Sequence, residues 1–189
     1  ECLEVLRRLW KGERVTYEGR HFQLNGAAIN PTPTQQPHPP VWVSGRRDVA
    51  MLRAVRHGEG WLPYLYDPER YRRSVAKINE YALEQGRDMS DFQWAGYFHT
   101  AIYPTVEEAA NVAAEELGGR YRHGRAFSEI VRDYCVLGPV ESCIARIQEY
   151  VDAGARHILF KISCPRKDRA RHIETIAKEI IPHFQRNPA

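Results

Sequence analysis

The chain has 189 residues, 43% of them hydrophobic, with no bias toward disorder, collagen or coiled coil, so one domain with one sizeable core is expected. Apolar runs such as Ile158-Leu159-Phe160 fall far short of the ~20 residues that span a bilayer, and residues 1–4 offer neither a basic nor an apolar leader region; the expectation is a cytoplasmic protein without membrane helix or signal peptide. The 27 basic residues interleave with 24 acidic ones to a net charge of +3, an ordinary mixed surface that argues against nucleic acid as a partner.

Leu3, Leu6, Leu9 and Trp10 recur at helical spacing, so the chain opens in an amphipathic helix. Val15-Thr16-Tyr17 and His21-Phe22-Gln23-Leu24 flank Glu18-Gly19-Arg20 as a short hairpin, with Gly19 supplying the turn. Residues 30–40 carry prolines at 31, 33, 37, 39 and 40, which cannot form a ladder and favour an extended path. Residues 12–40 therefore read as one hairpin and Pro-rich insertion. His38 within it reads as a plain loop residue.

Beyond Pro40 strands alternate with helices. Residues 41–43 form a strand ended by Ser44-Gly45, and Val49, Leu52 and Val55 mark a helix stopped at Gly58. Residues 60–65 form the next strand; Asp67-Pro68 caps and starts a helix carrying Tyr71, Val75, Ile78 and Ala82 as far as Gly86. Residues 92–103 hold a third strand, after which Thr105-Val106-Glu107-Glu108 has the form of a capping box opening an Ala-rich helix to Leu117. Residues 118–138 are an excursion with the basic loop Arg120-Tyr121-Arg122-His123-Gly124-Arg125, read as solvated, and a short helix through Phe127, Ile130, Val131 and Tyr134. Pro139 starts a helix lined by Val140, Ile144, Ile147 and Val151 and ended by Gly154; residues 157–163 form the fourth strand, and a last helix carries Ile173, Ile176, Ile180 and Phe184. Cys2, Cys135, Cys143 and Cys164 have no C-x-x-C spacing and no His partners at zinc-like spacing, so free, buried thiols and no metal are expected.

Sequential β-α units imply parallel strands with right-handed crossovers, satisfied either by an open doubly wound sheet or by a barrel. Ser44-Gly45-Arg46-Arg47 has one glycine where a dinucleotide fold needs G-x-G-x-x-G. A complete (β/α)8 barrel takes ~250 residues, so four units amount to half of one.

Thr16-Tyr17-Glu18-Gly19-Arg20-His21-Phe22, then Gln36-Pro37-His38-Pro39-Pro40, then Val41-Trp42-Val43-Ser44-Gly45, resemble in order the luciferase-like monooxygenase family. Gly58-Glu59-Gly60-Trp61 is similar to that family's G-D-G-W, with Glu59 in place of Asp. Leu137-Gly138-Pro139-Val140-Glu141 followed by Ala153-Gly154-Ala155 is similar to its G-T-P-E and A-G-A approach to the last strand, Val140 departing from the pattern. The resemblance implies the C-terminal half of a TIM (β/α)8 barrel, made of four parallel β-α units with an inserted helix and an N-terminal hairpin excursion. It also implies a cofactor, FMN or the deazaflavin F420, at the C-terminal ends of the strands. The family's first four strands, with most of its catalytic side chains, have no counterpart here, so catalytic residues stay unassigned.

Ser44, Gly45, Arg46 and Arg47 lie where a strand ends and a helix begins, so free N–H groups, the helix dipole and two guanidinium groups favour a phosphate; the resemblance implies the cofactor's, and the bland alternative is a plain turn. Trp61, heading the segment to Tyr66, is a candidate cofactor wall, against simple packing. His99 is a substrate-side candidate that could polarise a carbonyl or act as an acid, against a satisfied structural histidine. Lys161 and Arg166, with Ser163 between them, are candidates for a second anionic group, against a lysine paired with a neighbouring carboxylate. The length of the hairpin and proline loop suggests a functional cover on the rim at the strands' C-terminal ends.

The expected function is thus a flavin-type oxidoreductase acting on a small organic substrate, with oxygen as cosubstrate if the cofactor is FMN, a flavin reductase or other supplier of reduced cofactor as a further partner, and activity incomplete in this chain alone. Open strand edges imply a homo-oligomer. The alternatives are a non-catalytic half-barrel or truncated product that dimerises, and an unrelated α/β phosphate-binding domain.

Overall fold

The computed structural model describes residues 1–120 and 124–186. The elements run α1 (Cys2–Trp10), β1 (Val15–Glu18), β2 (Gln23–Ala27), β3 (Trp42–Val43), α2 (Asp48–His57), β4 (Gly60–Trp61), α3 (Pro68–Glu84), β5 (Gln93–Ile102), α4 (Val106–Gly118), α5 (Phe127–Tyr134), β6 (Val136–Gly138), α6 (Val140–Asp152), β7 (His157–Ile162), α7 (Arg169–Thr175) and α8 (Ile181–Arg186). Strands β3, β4, β5 and β7 are parallel neighbours in that order, while β1 and β2 form a separate antiparallel hairpin.

Alternation along β5 explains how one strand serves three partners. Odd residues bond one edge, with Gln93 and Tyr97 donating to Glu59 and Pro63 and Tyr103 donating to Gly138, so short β6 takes up the edge where β4 leaves it. Carbonyls of even residues face β7, Trp94 accepting from Arg156 and Thr100 from Ser163. The even side chains Phe98 and Ile102 join a core cluster with Val43, Trp61, Met51, Tyr71, Ile78, Ile147, Tyr150 and Ile180, so α2, α3, α6 and the C-terminal helical segment cover one face. Helices α4 and α5 form a second cluster with Ala101 and Leu137.

The face that carries Trp42, Tyr97 and His99 is concave. Strands three positions apart in a flat sheet stand roughly 14 Å apart, yet the rings of Trp42 on β3 and His157 on β7 have centroids 5.2 Å apart. Trp42 lies across Gly60, where a Cβ would stand 2.8 Å from its Cδ1.

Sequence-based caps hold where the chemistry is local. Asp67 accepts from the N–H of Arg70 with Pro68 next, and Thr105 accepts from that of Glu108. The differences have physical causes. The second strand stops at Trp61 instead of Leu65 because Pro63 has no N–H and Leu65 turns to φ 51. Gly19 does not serve by a left-handed φ; a Cβ there would stand 2.4 Å from Tyr17 Cε1 and 2.6 Å from Glu1 Oε2, the carboxylate that accepts from the N–H groups of Arg20 and His21. Strand β6 was not expected. The last helix is broken by a π segment at Ile176–Ile180, where Ile181 N–H bonds Ile176; Pro182, one residue on, cannot donate to an i−4 carbonyl.

The cover role expected of residues 12–40 is overturned. The segment is anchored where Trp10 packs on His38 (centroids 5.8 Å) and where Glu59 accepts from Val41 N–H (2.7 Å) and pairs with Arg7 (2.6 Å), all at the N-terminal ends of β3 and β4. The cysteines are free, but Cys2 is exposed at the start of α1 where burial was expected; burial pushes the thiols of Cys135 and Cys143 up to about 12, which leaves them inert at neutral pH. No helix among the described residues is long and apolar enough to cross a membrane.

Tyr150 is fully buried and donates to the Tyr66 carbonyl at 2.6 Å. Tyr150→Phe leaves that carbonyl unpaired, and chemical denaturation should show a loss of about 1–2 kcal/mol; an unchanged midpoint would mean the bond contributes nothing.

Candidate functional site

The turn at 44–47 is built by the core beneath it. Gly45 has φ +133, and a Cβ there would stand 2.4 Å from Ala50 Cβ, so both backbone and space require glycine. Its carbonyl accepts the indole N–H of Trp61 at 3.0 Å. Trp61 is fully buried, edge-on to Tyr66 and tilted against Tyr71, so the expectation that it walls a pocket is corrected: it positions the turn from below. Tyr66 Oη donates to the Arg46 carbonyl at 3.4 Å.

Above this base the turn is open. The first intrahelical bond of α2 runs from Ala50 N–H to the Arg47 carbonyl, and no side chain caps the helix, which leaves the N–H groups of Asp48 and Val49 ahead of the ladder. Ser44 and Arg47 are exposed. The Arg46 guanidinium lies 5.6 Å over the Tyr64 ring and reaches the Leu65 carbonyl at 3.5 Å. The carboxylate of Asp48 opposes an anion here, but it accepts from Tyr81 Oη at 3.2 Å. The arrangement can take an oxyanion on backbone N–H groups and Arg46.

Ser44, Leu62, Tyr64 and Tyr97 line an adjoining cavity of about 260 Å³. That is below the span of roughly 300–1,000 Å³ typical of complete ligand sites, so it suits one part of a larger molecule. Tyr97 in turn packs edge-on against His99, centroids 5.6 Å apart. His99 is buried, its Nδ1 lies 2.8 Å from Ser163 Oγ, and β5–β7 pairing sets it opposite Lys161. Burial first, then the Lys161 ammonium and the Arg120 guanidinium, push His99 down to about 4. It is therefore a neutral imidazole at pH 7.

The structure thus joins Ser44, Gly45 and Arg46 to His99 and Lys161 along one face, while Arg47 points outward from the N-cap. Arg166 is exposed in the turn after β7, and no contact among the described residues joins it to His99 or Lys161. Of the basic loop, Arg120 approaches His99 and pairs with Glu116; residues 121–123 lie outside the described residues. Sequence reasoning missed Tyr97, although its i, i+2 spacing from His99 puts both on one face of a strand. A larger hollow of about 570 Å³ among Asp67, Arg72, Arg132, Arg146 and Glu149 lies on the outer helices; within it Arg146 pairs with Glu149 at 2.6 Å and Arg72 with Glu69 at 2.7 Å.

A parallel sheet with a phosphate-competent turn at a strand end is the setting of a cofactor-binding α/β enzyme class. The luciferase-like monooxygenase model matches residues 1–157, and the chain belongs to that family. Similar solved structures include an F420-dependent secondary alcohol dehydrogenase in complex with an F420-acetone adduct, at 21% identity and TM-score 0.78 over 95% of this chain and 59% of that one. A coenzyme F420-dependent tetrahydromethanopterin reductase from Methanopyrus kandleri matches at 23% identity and TM-score 0.75, over 96% and 61%. EDTA monooxygenase from Chelativorans sp. BNC1 matches at 17% identity and TM-score 0.71, over 98% and 58%. At these identities the likeness establishes the fold. The chain spans about three-fifths of each of these proteins.

Because His99 titrates below histidine's ordinary 6.5, the unfolded chain binds a proton that the folded chain refuses between pH 6.5 and 4. Stability should fall as pH drops through that window, by up to about 3 kcal/mol, and His99→Gln should flatten the curve; parallel curves from urea melts across a pH series would exclude His99 as the cause.

Proposed function

We propose that this chain is a flavin-type oxidoreductase of the luciferase-like class, binding FMN or F420 at the C-terminal ends of its strands and acting on a small organic substrate. The observation that carries the reading is the unbroken path from the turn at 44–47, through the Ser44–Tyr97 cavity, to His99 and Lys161 on the concave face. The residues fit such a group: Gly45 holds a turn that a Cβ, 2.4 Å from Ala50 Cβ, would not allow, and the free first turn of α2 with Arg46 supplies donors for its phosphate. Tyr64 and Tyr97 would flank the adjoining part of the molecule. The bound cofactor supplies two-electron chemistry, with oxygen as cosubstrate if it is FMN, and a flavin reductase then serves as the source of reduced cofactor. His99, neutral and held by Ser163, would present an imidazole to the substrate; Arg166 would meet the substrate's outer end. Family membership leaves the unrelated phosphate-binding reading without support.

An incomplete barrel completed by a second copy is part of this reading. Its supports are the curl that brings Trp42 to His157 and an apolar groove of about 390 Å³ along β7, lined by residues including Ile158, Phe160, Ile181 and Phe184. Residues 12–40 are then an insertion at the N-terminal rim. Four free thiols support a reducing, cytoplasmic setting.

Fluorescence titrations of FMN and of F420 test the site. Arg46→Ala should weaken binding roughly ten- to a hundredfold, the equivalent of a charge-assisted bond of about 1.5–3 kcal/mol, and Gly45→Val should abolish it. Unchanged affinity in both variants removes the turn from the site. In sedimentation at micromolar concentration a dimer or larger species is expected, and a well-behaved monomer contradicts the completed barrel.

A further inference from the structure

Parallel pairing of β5 with β7 sets Tyr97 beside Leu159 and His99 beside Lys161, so all four side chains leave the sheet on the concave face. Lys161 is half-buried there. Of the other lysines, Lys77 and Lys178 pair with Glu80 and Glu174, and Lys11 and Lys167 are exposed. Lys161 alone is half-buried with no carboxylate within ion-pair distance among the described residues. A charge withdrawn from water without a partner is costly, and a ligand anion would offset that cost.

Its surroundings favour the same kind of ligand. Ser163 Oγ stands 2.8 Å from His99 Nδ1 and 3.4 Å from the Lys161 carbonyl, which fixes a hydroxyl beside the strand end that carries the ammonium. Among the described residues the charges that act on His99 are those of Lys161 and Arg120, and His99 is neutral at pH 7 and adds no charge of its own. A half-buried cation thus stands beside a buried hydroxyl–imidazole pair on the concave face, where each contact to an anion is worth more than in bulk water.

We propose that the substrate carries an oxyanion group, such as a carboxylate or sulfonate, and that Lys161, with the Ser163–His99 pair beside it, forms its recognition subsite. This deepens the proposed function and rests on its reading of the concave face as the substrate side. The subsite is distinct from the turn at 44–47, which lies at the far side of Tyr97.

Sulfate is a suitable probe because its charge is constant through the neutral range. The protein, in its assembled form, is labelled with ¹³C-histidine; the His99 signal is assigned by its disappearance in His99→Gln, and sulfate is titrated at pH 7 and constant ionic strength against chloride. A saturable shift of the His99 signal is expected, weakened at least tenfold in Lys161→Gln and retained in Lys161→Arg and in Arg46→Ala. The remaining histidine signals report whether each variant is folded. No saturable shift, or the same shift in a folded Lys161→Gln, overturns the subsite. Repeating the titration with saturating FMN separates the two possible sources of the anion. A persisting shift supports a substrate group, whereas its loss assigns the anion to the cofactor and overturns the proposal. Failure of FMN to bind at all bears on the cofactor reading alone, since the sulfate response is read at His99 without it.

Discussion

The indole N–H of Trp61 on the carbonyl of Gly45 is the bond through which the core sets the candidate site. Gly45 sits at a φ that other residues rarely adopt, and such backbone persists only where the surroundings over-determine it. They do so here through aromatic side chains. Tyr150 on α6 bonds the carbonyl of Tyr66, Tyr66 bonds the carbonyl of Arg46, and Trp61 holds Gly45, so three buried rings tie the turn to helices packed on the far side of the sheet. Leu65, itself left-handed at φ 51, brings its carbonyl to the Arg46 guanidinium. Local strain at Leu65 is balanced by burial that lies outside the turn.

The same sheet separates stability from chemistry. Side chains of one parity, Phe98 and Ile102 among them, pack under α2, α3 and α6 and supply the main apolar burial; of the other, Tyr97 is half-buried on the concave surface and His99 is buried beside it. A polar group there keeps access to a ligand while the sheet fixes its position. His99 shows the cost of this placement, since its depressed proton affinity makes the fold sensitive to acid. Lys161 is the counterpart, a cation positioned by strand register and left without an internal partner among the described residues.

Much of this was legible in the residues. Asp67-Pro68 and Thr105 with Glu108 announce helix starts because a cap is a local contact, and Gly45 after an apolar run announces the turn that ends β3 for the same reason. What escaped depends on contacts distant in sequence. Trp61 reads as a pocket wall until its indole is seen bonded sixteen residues back to Gly45. Strand β6 is three residues long and exists only because β5 outlasts β4. The proline loop suggested a cover by its length, but Glu59 ties it to the opposite end of the strands. The order of motifs identified the family, yet neither FMN nor F420 is selected by the few residues that touch the cradle.

Amide hydrogen exchange with and without added FMN or F420 tests most directly whether the turn and concave face form one cofactor site. The account predicts that one of the two protects the amides of residues 45–49, with protection extending along β5 around Tyr97. Protection confined to the outer groove of Arg132 and Arg146, or none at saturating concentrations of either cofactor, would contradict it.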